Sequence, residues 1–128
     1  MAEWVLRRRL SDPGIEVASA GVTALEGHPM DPIAASVLAE HGINGTDSHH
    51  ARQVTSAVLH HSDLVLAMEQ SQAAAIMRVA PEVSGKVYLL DKWQCNRDIP
   101  DPYRQQRIAY EHVFNLIDSS ISAWLRYL

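Results

Sequence analysis

Apolar positions along this chain fall into two habits, short unbroken runs and longer stretches at helical spacing. The runs are IEVASAG at 15–21, DLVLAME at 63–69 and KVYLL at 86–90. Each lacks the every-other-residue alternation of a half-exposed strand, which marks a strand covered on both faces and so a parallel sheet. Helices are predicted between and after them. Asp31 before Pro32 reads as an N-cap with proline at the first helical position, and Gly42 as that helix's stop. Ser71 reads as the cap of QAAAIMRVA, which Pro81 closes. Near the C-terminus, Tyr110, Val113, Ile117, Ile121 and Trp124 recur at the spacing of a core-facing helix. The pattern predicts an α/β fold in which these stripes are core rather than cofactor contacts.

Composition narrows the picture. With 128 residues, 47% of them hydrophobic, the chain suits a single domain over 1–128, and no linker or repeat interrupts it. A net charge of −4 argues against a nucleic-acid partner, which would need a basic surface. Arg7, Arg8 and Arg9 form the only basic run and read as the solvated face of a first helix. No run is long enough to span a membrane, and in MAEWVLRRRL the charges follow the apolar part, the reverse of a secretory signal, so a cytoplasmic protein is expected.

The single cysteine, Cys95, rules out a disulfide framework or a multi-thiol metal site and reads as a free structural thiol. Histidines come in adjacent pairs, His49 with His50 and His60 with His61. Neighbours on a helix point apart, and no H-E-x-x-H spacing occurs, so neither metal nor cofactor is expected.

One stretch points to chemistry. In DIPDPYRQQ, at 98–106, Asp101 stands between two prolines and ahead of a tyrosine. Proline fixes its own φ and pushes the preceding residue out of the helical region, so Ile99 and Asp101 should both be extended and the carboxylate closely placed. A proton donor aimed at a leaving group needs such placement.

Taken in order, SAG at 19–21, TALEGHPMDP at 23–32, SHHARQVT at 48–55, DLVLAMEQS at 63–71 and DPYR at 101–104 resemble the low molecular weight protein tyrosine phosphatases, in their bacterial branch. The matches cover nearly the whole chain. The resemblance implies a doubly wound parallel sheet with helices on both faces, and metal-free hydrolysis of phosphotyrosine through a cysteinyl-phosphate. It makes Asp101 the general acid that protonates the departing phenolate and the base that then activates water. It makes Tyr103 an aromatic wall beside the substrate ring, a role that ordinary loop packing would also explain. Ser19 and His49 match positions that brace the phosphate loop, although each also fits a plain turn or loop residue. The implied partner is a phosphotyrosine protein such as a bacterial tyrosine kinase.

The resemblance also exposes a gap. The family's nucleophile and its phosphate-gripping arginine lie in a C-x5-R loop after the first strand, whereas the residue six after Cys95 is Asp101. MAEWVLRRRL resembles the helix that follows that loop, so the first, central strand and the loop are expected to be missing, as in a late start or an N-terminal truncation. The chain as given is therefore expected to be inactive alone. A second reading is a pseudophosphatase that binds a kinase or phosphatase partner through its retained loops. A third, an arsenate reductase-type relative, needs several redox cysteines. Without the central strand, either 15–21 should cross over to pair with 63–69, or the exposed sheet edge should drive self-association. Ser19 and His49, with no loop to brace, should bond to water or to each other.

Overall fold

The computed structural model describes residues 1–128. Seven principal elements follow in the order α1 (Ala2–Arg9), α2 (Pro32–Glu40), α3 (Ser56–His61), β1 (Val65–Ala67), α4 (Gln70–Val79), β2 (Val87–Leu89) and α5 (Arg107–Trp124). The strands pair in parallel, with Val65, Leu66 and Ala67 opposite Val87, Tyr88 and Leu89. A parallel pair needs a crossover, and α4 supplies it.

Side-chain alternation divides the core into two layers. Leu64, Leu66, Met68 and Tyr88 pack on a cluster built from Val5 of α1, Val37 and Leu38 of α2, and Tyr110, Val113, Phe114, Ile117, Ile121 and Trp124 of α5. The intervening residues Val65, Ala67, Val87 and Leu89 join Leu59 of α3 and Ala73 and Ile76 of α4 in the second cluster. This is an α/β sheet with helices on both faces, and the unbroken apolarity of both strand runs follows from it.

The helix signals hold with one exception. Asp31 Oδ1 accepts the Ile33 N–H at 2.8 Å and Pro32 opens α2, while Gly42 adopts φ 80° just past its end. The five stripe residues of α5 are all buried. Ser71, however, does not cap α4. That helix begins at Gln70, whose N–H is met by Asp98 Oδ1 at 2.8 Å. Its capping carboxylate thus comes from a loop 28 residues downstream.

The third expected strand is absent. Beyond a local turn in which Ile15 N–H donates to Asp12 O at 3.3 Å, residues 15–21 touch other backbone through a bridge from Gly21 to Gln53, with Gly21 N–H donating to Arg52 O at 2.8 Å and Val54 N–H to Gly21 O at 2.9 Å. A strand exists by its ladder, and no strand lies alongside this segment. Arginine side chains serve its carbonyls instead: Arg7 donates to Val17 O at 2.8 Å and Arg52 to Ser19 O at 3.1 Å. Nor does the segment cross to β1. Leu90 N–H donates to Ala67 O at 2.8 Å, so residue 67 faces β2. By alternation, the N–H and C=O of Leu66 face the opposite edge, where no strand pairs.

The arginine run is exposed as expected, yet each member is tied down. Beside the Arg7 contact, Arg8 donates to Gly42 O at 3.0 Å, and Arg9 pairs with Asp118 of α5 at 2.6 Å. No helix is long and apolar enough to cross a membrane.

Candidate functional site

The loop that carries Asp101 follows β2 and passes the C-terminal end of β1. Ile99, 1% exposed, donates its N–H to Met68 O at 2.9 Å, and Asp98 caps α4 beside it. These two anchors fix the chain immediately ahead of Asp101, and buried Pro102 fixes it behind. Both Ile99 and Asp101 lie outside any helix, as the prolines require. Asp101 is exposed, and one of its oxygens accepts the Tyr103 N–H at 3.0 Å. This local turn orients the carboxylate and leaves its second oxygen open to solvent.

The Tyr103 ring stands 54% exposed with the Arg104 guanidinium 5.2 Å from its centroid. Arg104 holds φ 64°, a conformation that costs a side-chain-bearing residue energy and bends the chain back toward α5. The buried Tyr110 phenol lies on the far side of this turn. Burial pushes its pKa up, and the charges of Asp31 and Asp101 add to the effect. The N-cap of α2 and the loop of Asp101 therefore share one neighbourhood.

The first turn of α1 forms the other side. Burial pushes the Met1 amino group down in pKa, against the pull of Glu3 and Asp101, which places Asp101 beside this helix start. Glu3, with only 9% of its side chain accessible, is the hub: Oε1 accepts the Ser19 hydroxyl at 2.5 Å and Oε2 meets Arg7 at 2.6 Å. His49 Nδ1 lies 3.7 Å from the same carboxylate and accepts the Trp4 indole N–H at 3.3 Å. Burial pushes the His49 imidazole below its ordinary pKa despite Glu3, and the Met1 amino group, His50 and Arg7 reinforce the shift.

Asp101, Ser19 and His49 thus gather around the start of α1, although they come from three separate loops, while Tyr103 stays beside Asp101 in its own turn. The expected link between Ser19 and His49 is corrected: Ser19 donates to Glu3, and His49 Nδ1 receives the Trp4 N–H instead. A carboxylate that is almost wholly buried demands donors, here the Ser19 hydroxyl and the Arg7 guanidinium.

Glu3 and Trp4 escaped the sequence reading because the adjacent arginines make their helix look like a solvated face. A carboxylate in the first helical turn was the available signal. Gln53 lies in the SHHARQVT stretch. Its Oε1 accepts the Ala24 N–H at 2.9 Å and its Nε2 donates to Val22 O at 2.5 Å, splinting the loop that leads to Asp31.

Cys95 is exposed in the turn after β2. His50 lies against Gly27 O at 3.3 Å, and His60 lies 2.6 Å from Glu82. No three His, Cys, Asp or Glu side chains are grouped to hold a metal ion.

Comparisons with known proteins show the family and the fold. A family model for low molecular weight phosphotyrosine protein phosphatase matches residues 1–128. The sequence is 41% identical over 128 residues to the low molecular weight protein-tyrosine-phosphatase Etp of Escherichia coli K12, covering 100% of this chain and 84% of Etp. It is 42% identical over 127 residues to Wzb of Salmonella typhimurium, covering 99% of this chain and 83% of Wzb. The structure of Vibrio vulnificus Wzb in complex with benzylphosphonate superposes with a TM-score of 0.93 at 40% identity, over 99% of this chain and 88% of that one.

Proposed function

The chain belongs to the low molecular weight phosphotyrosine protein phosphatase family, and from that premise we propose that it carries the proton-transfer half of a phosphotyrosine hydrolase. The observation that supports this is the placement of Asp101, anchored by Ile99 and Pro102 beside the helix start on which Ser19, Glu3 and His49 converge. In the family reaction a cysteine thiolate forms a bond to phosphorus as the bond to the tyrosine oxygen breaks, and Asp101 gives that oxygen its proton. Asp101 then takes a proton from water as the water oxygen attacks phosphorus, which releases inorganic phosphate and regenerates the thiolate. Tyr103 lies against the substrate ring, where its exposed face offers contact area with little rotamer entropy to lose.

The 128-residue sequence contains no C-x5-R, because Cys95 is followed six positions on by Asp101. We therefore propose that this chain alone does not hydrolyse phosphotyrosine. Phosphoryl transfer depends on positioning and charge stabilisation, and nucleophile and arginine act as one unit. The proposed partner is a phosphotyrosine protein such as a bacterial tyrosine kinase, in the cytoplasm, where Cys95 stays reduced. A binding-only role is the second reading, supported by the same lack of a nucleophile.

Hydrolysis of para-nitrophenyl phosphate tests the proposal. The chain alone should not exceed buffer. The same chain fused behind a strand and C-x5-R loop from a relative should gain activity, and Asp101→Asn should lower the fused protein's kcat by about 10²–10⁴-fold. Turnover by the chain alone, whether or not Cys95→Ser abolishes it, would overturn the inactive reading. An unchanged kcat in the Asp101→Asn fusion would remove Asp101 from the acid role.

A further inference from the structure

His49 carries two ring nitrogens, and their surroundings differ. Nδ1 faces the Trp4 indole N–H at 3.3 Å, with ring centroids 6.2 Å apart in an edge-on arrangement. An indole nitrogen only donates, so the atom that receives it must present a lone pair. Nδ1 is therefore unprotonated, and the proton of a neutral imidazole belongs on Nε2. Glu3 Oε1, 3.7 Å from Nδ1, favours the opposite outcome, since a carboxylate attracts a protonated Nδ1. Glu3 already accepts from Ser19 at 2.5 Å and from Arg7 at 2.6 Å. At 3.7 Å the carboxylate lies beyond hydrogen-bond distance of Nδ1, whereas the indole N–H lies within it, so Trp4 holds Nδ1.

We propose that Trp4 is a positioning residue that sets His49 in its neutral Nε2–H form, so that the ring presents a hydrogen-bond donor from Nε2 at the start of α1. A histidine ring can offer either donor or acceptor at Nε2, and only the partner at Nδ1 decides which. Oxygen acceptors fit a Nε2–H: a backbone carbonyl or an anion oxygen. Trp4 thus converts a residue with two possible polarities into one with a single polarity. The other groups that face His49 act in a consistent direction apart from Glu3. The Met1 amino group, His50 and Arg7 are all positive or titratable to positive, and each disfavours a second proton on the ring. The Trp4–His49 contact is present whether or not the chain hydrolyses a phosphate ester.

Long-range 15N–1H NMR of the uniformly labelled full chain reads the tautomer directly, with His49→Gln identifying the signals. At neutral pH the wild type should show a pyridine-type Nδ1 and a pyrrole-type Nε2, together with a through-hydrogen-bond 15N–15N coupling between Trp4 Nε1 and His49 Nδ1. Trp4→Phe keeps the aromatic body and deletes the donor. Its His49 should become a mixture of tautomers, and its titration midpoint should rise by about half a unit or more as the neutral form loses a partner and Glu3 keeps its pull. A role for Trp4 in packing alone would leave the tautomer untouched. A protonated Nδ1 in the neutral wild-type ring would overturn the proposal, as would a tautomer and midpoint unmoved by Trp4→Phe. If that variant does not fold, the wild-type coupling decides, and its absence counts against Trp4.

Discussion

Ser19 and Glu3 are joined by a 2.5 Å hydrogen bond that ties an exposed loop to the first turn of α1. The bond matters because the loop has no strand partner. Apart from the turn at Ile15 and the bridge at Gly21, residues 15–21 are held by side chains, namely Glu3 on Ser19, Arg7 on Val17 O and Arg52 on Ser19 O. Glu3 also neutralises Arg7, so one carboxylate supports two of the three ties.

Glu3→Ala should therefore destabilise the chain by about 1–2 kcal/mol, since it strands the Ser19 hydroxyl and frees Arg7. The exposure of both partners keeps the figure at the low end. Glu3→Gln, which still accepts from Ser19, should cost less. Urea denaturation ranks the three proteins. Equal midpoints for wild type and Glu3→Ala would show that the ties contribute nothing net.

Asp98 should matter to α4 as an N-cap normally does. Asp98→Ala removes the acceptor of the Gln70 N–H, at a cost of about 1 kcal/mol, while Asp98→Asn should recover most of it. Hydrogen exchange supplies a local check: faster exchange confined to the first turn of α4 in Asp98→Ala. Exchange unchanged there would mean that Asp98 is not the cap in solution.

His49 introduces a pH dependence with a definite sign. Burial holds its folded pKa below the ordinary 6.5, so below about that pH the unfolded chain binds more protons there than the folded one. Stability from this group is complete above pH 6.5 and declines as the pH falls toward the folded value. His49→Gln, which keeps an acceptor for Trp4, should flatten the stability profile between pH 6.5 and the folded pKa. A profile identical to wild type over that range would place the dependence on other groups.

The free edge of β1 bears on association. With Leu66 N–H and C=O directed away from β2, that edge can pair with another chain. We expect concentration-dependent growth in light scattering, suppressed when a relative's strand and loop are fused ahead of α1 to cover the edge. A monodisperse monomer at all concentrations, melting as cooperatively as the fused protein, would show that the edge is silent.

Much of this architecture was legible in sequence because its causes are local. Strands β1 and β2 announced themselves by apolar runs that only two covered faces explain, α2 by Asp31 and Pro32, and α5 by a stripe that reads the same in any surroundings. The prolines around Asp101 restrict its backbone wherever the loop lies. The remaining features depend on partners distant along the chain. Residues 15–21 have strand-like composition, yet a strand is a relation between two backbones, and no second one lies alongside. Ser71 looked like a cap from its neighbours, but Asp98, 28 residues beyond Gln70, reached the N–H instead. Glu3 and Ser19 are 16 residues apart, and Trp4 and His49 are 45 apart. Residue type along the chain specified which groups were able to donate, accept or pack. Only the tertiary structure decided which of them met, because a hydrogen bond forms between atoms a few ångströms apart, and chain order does not set that distance.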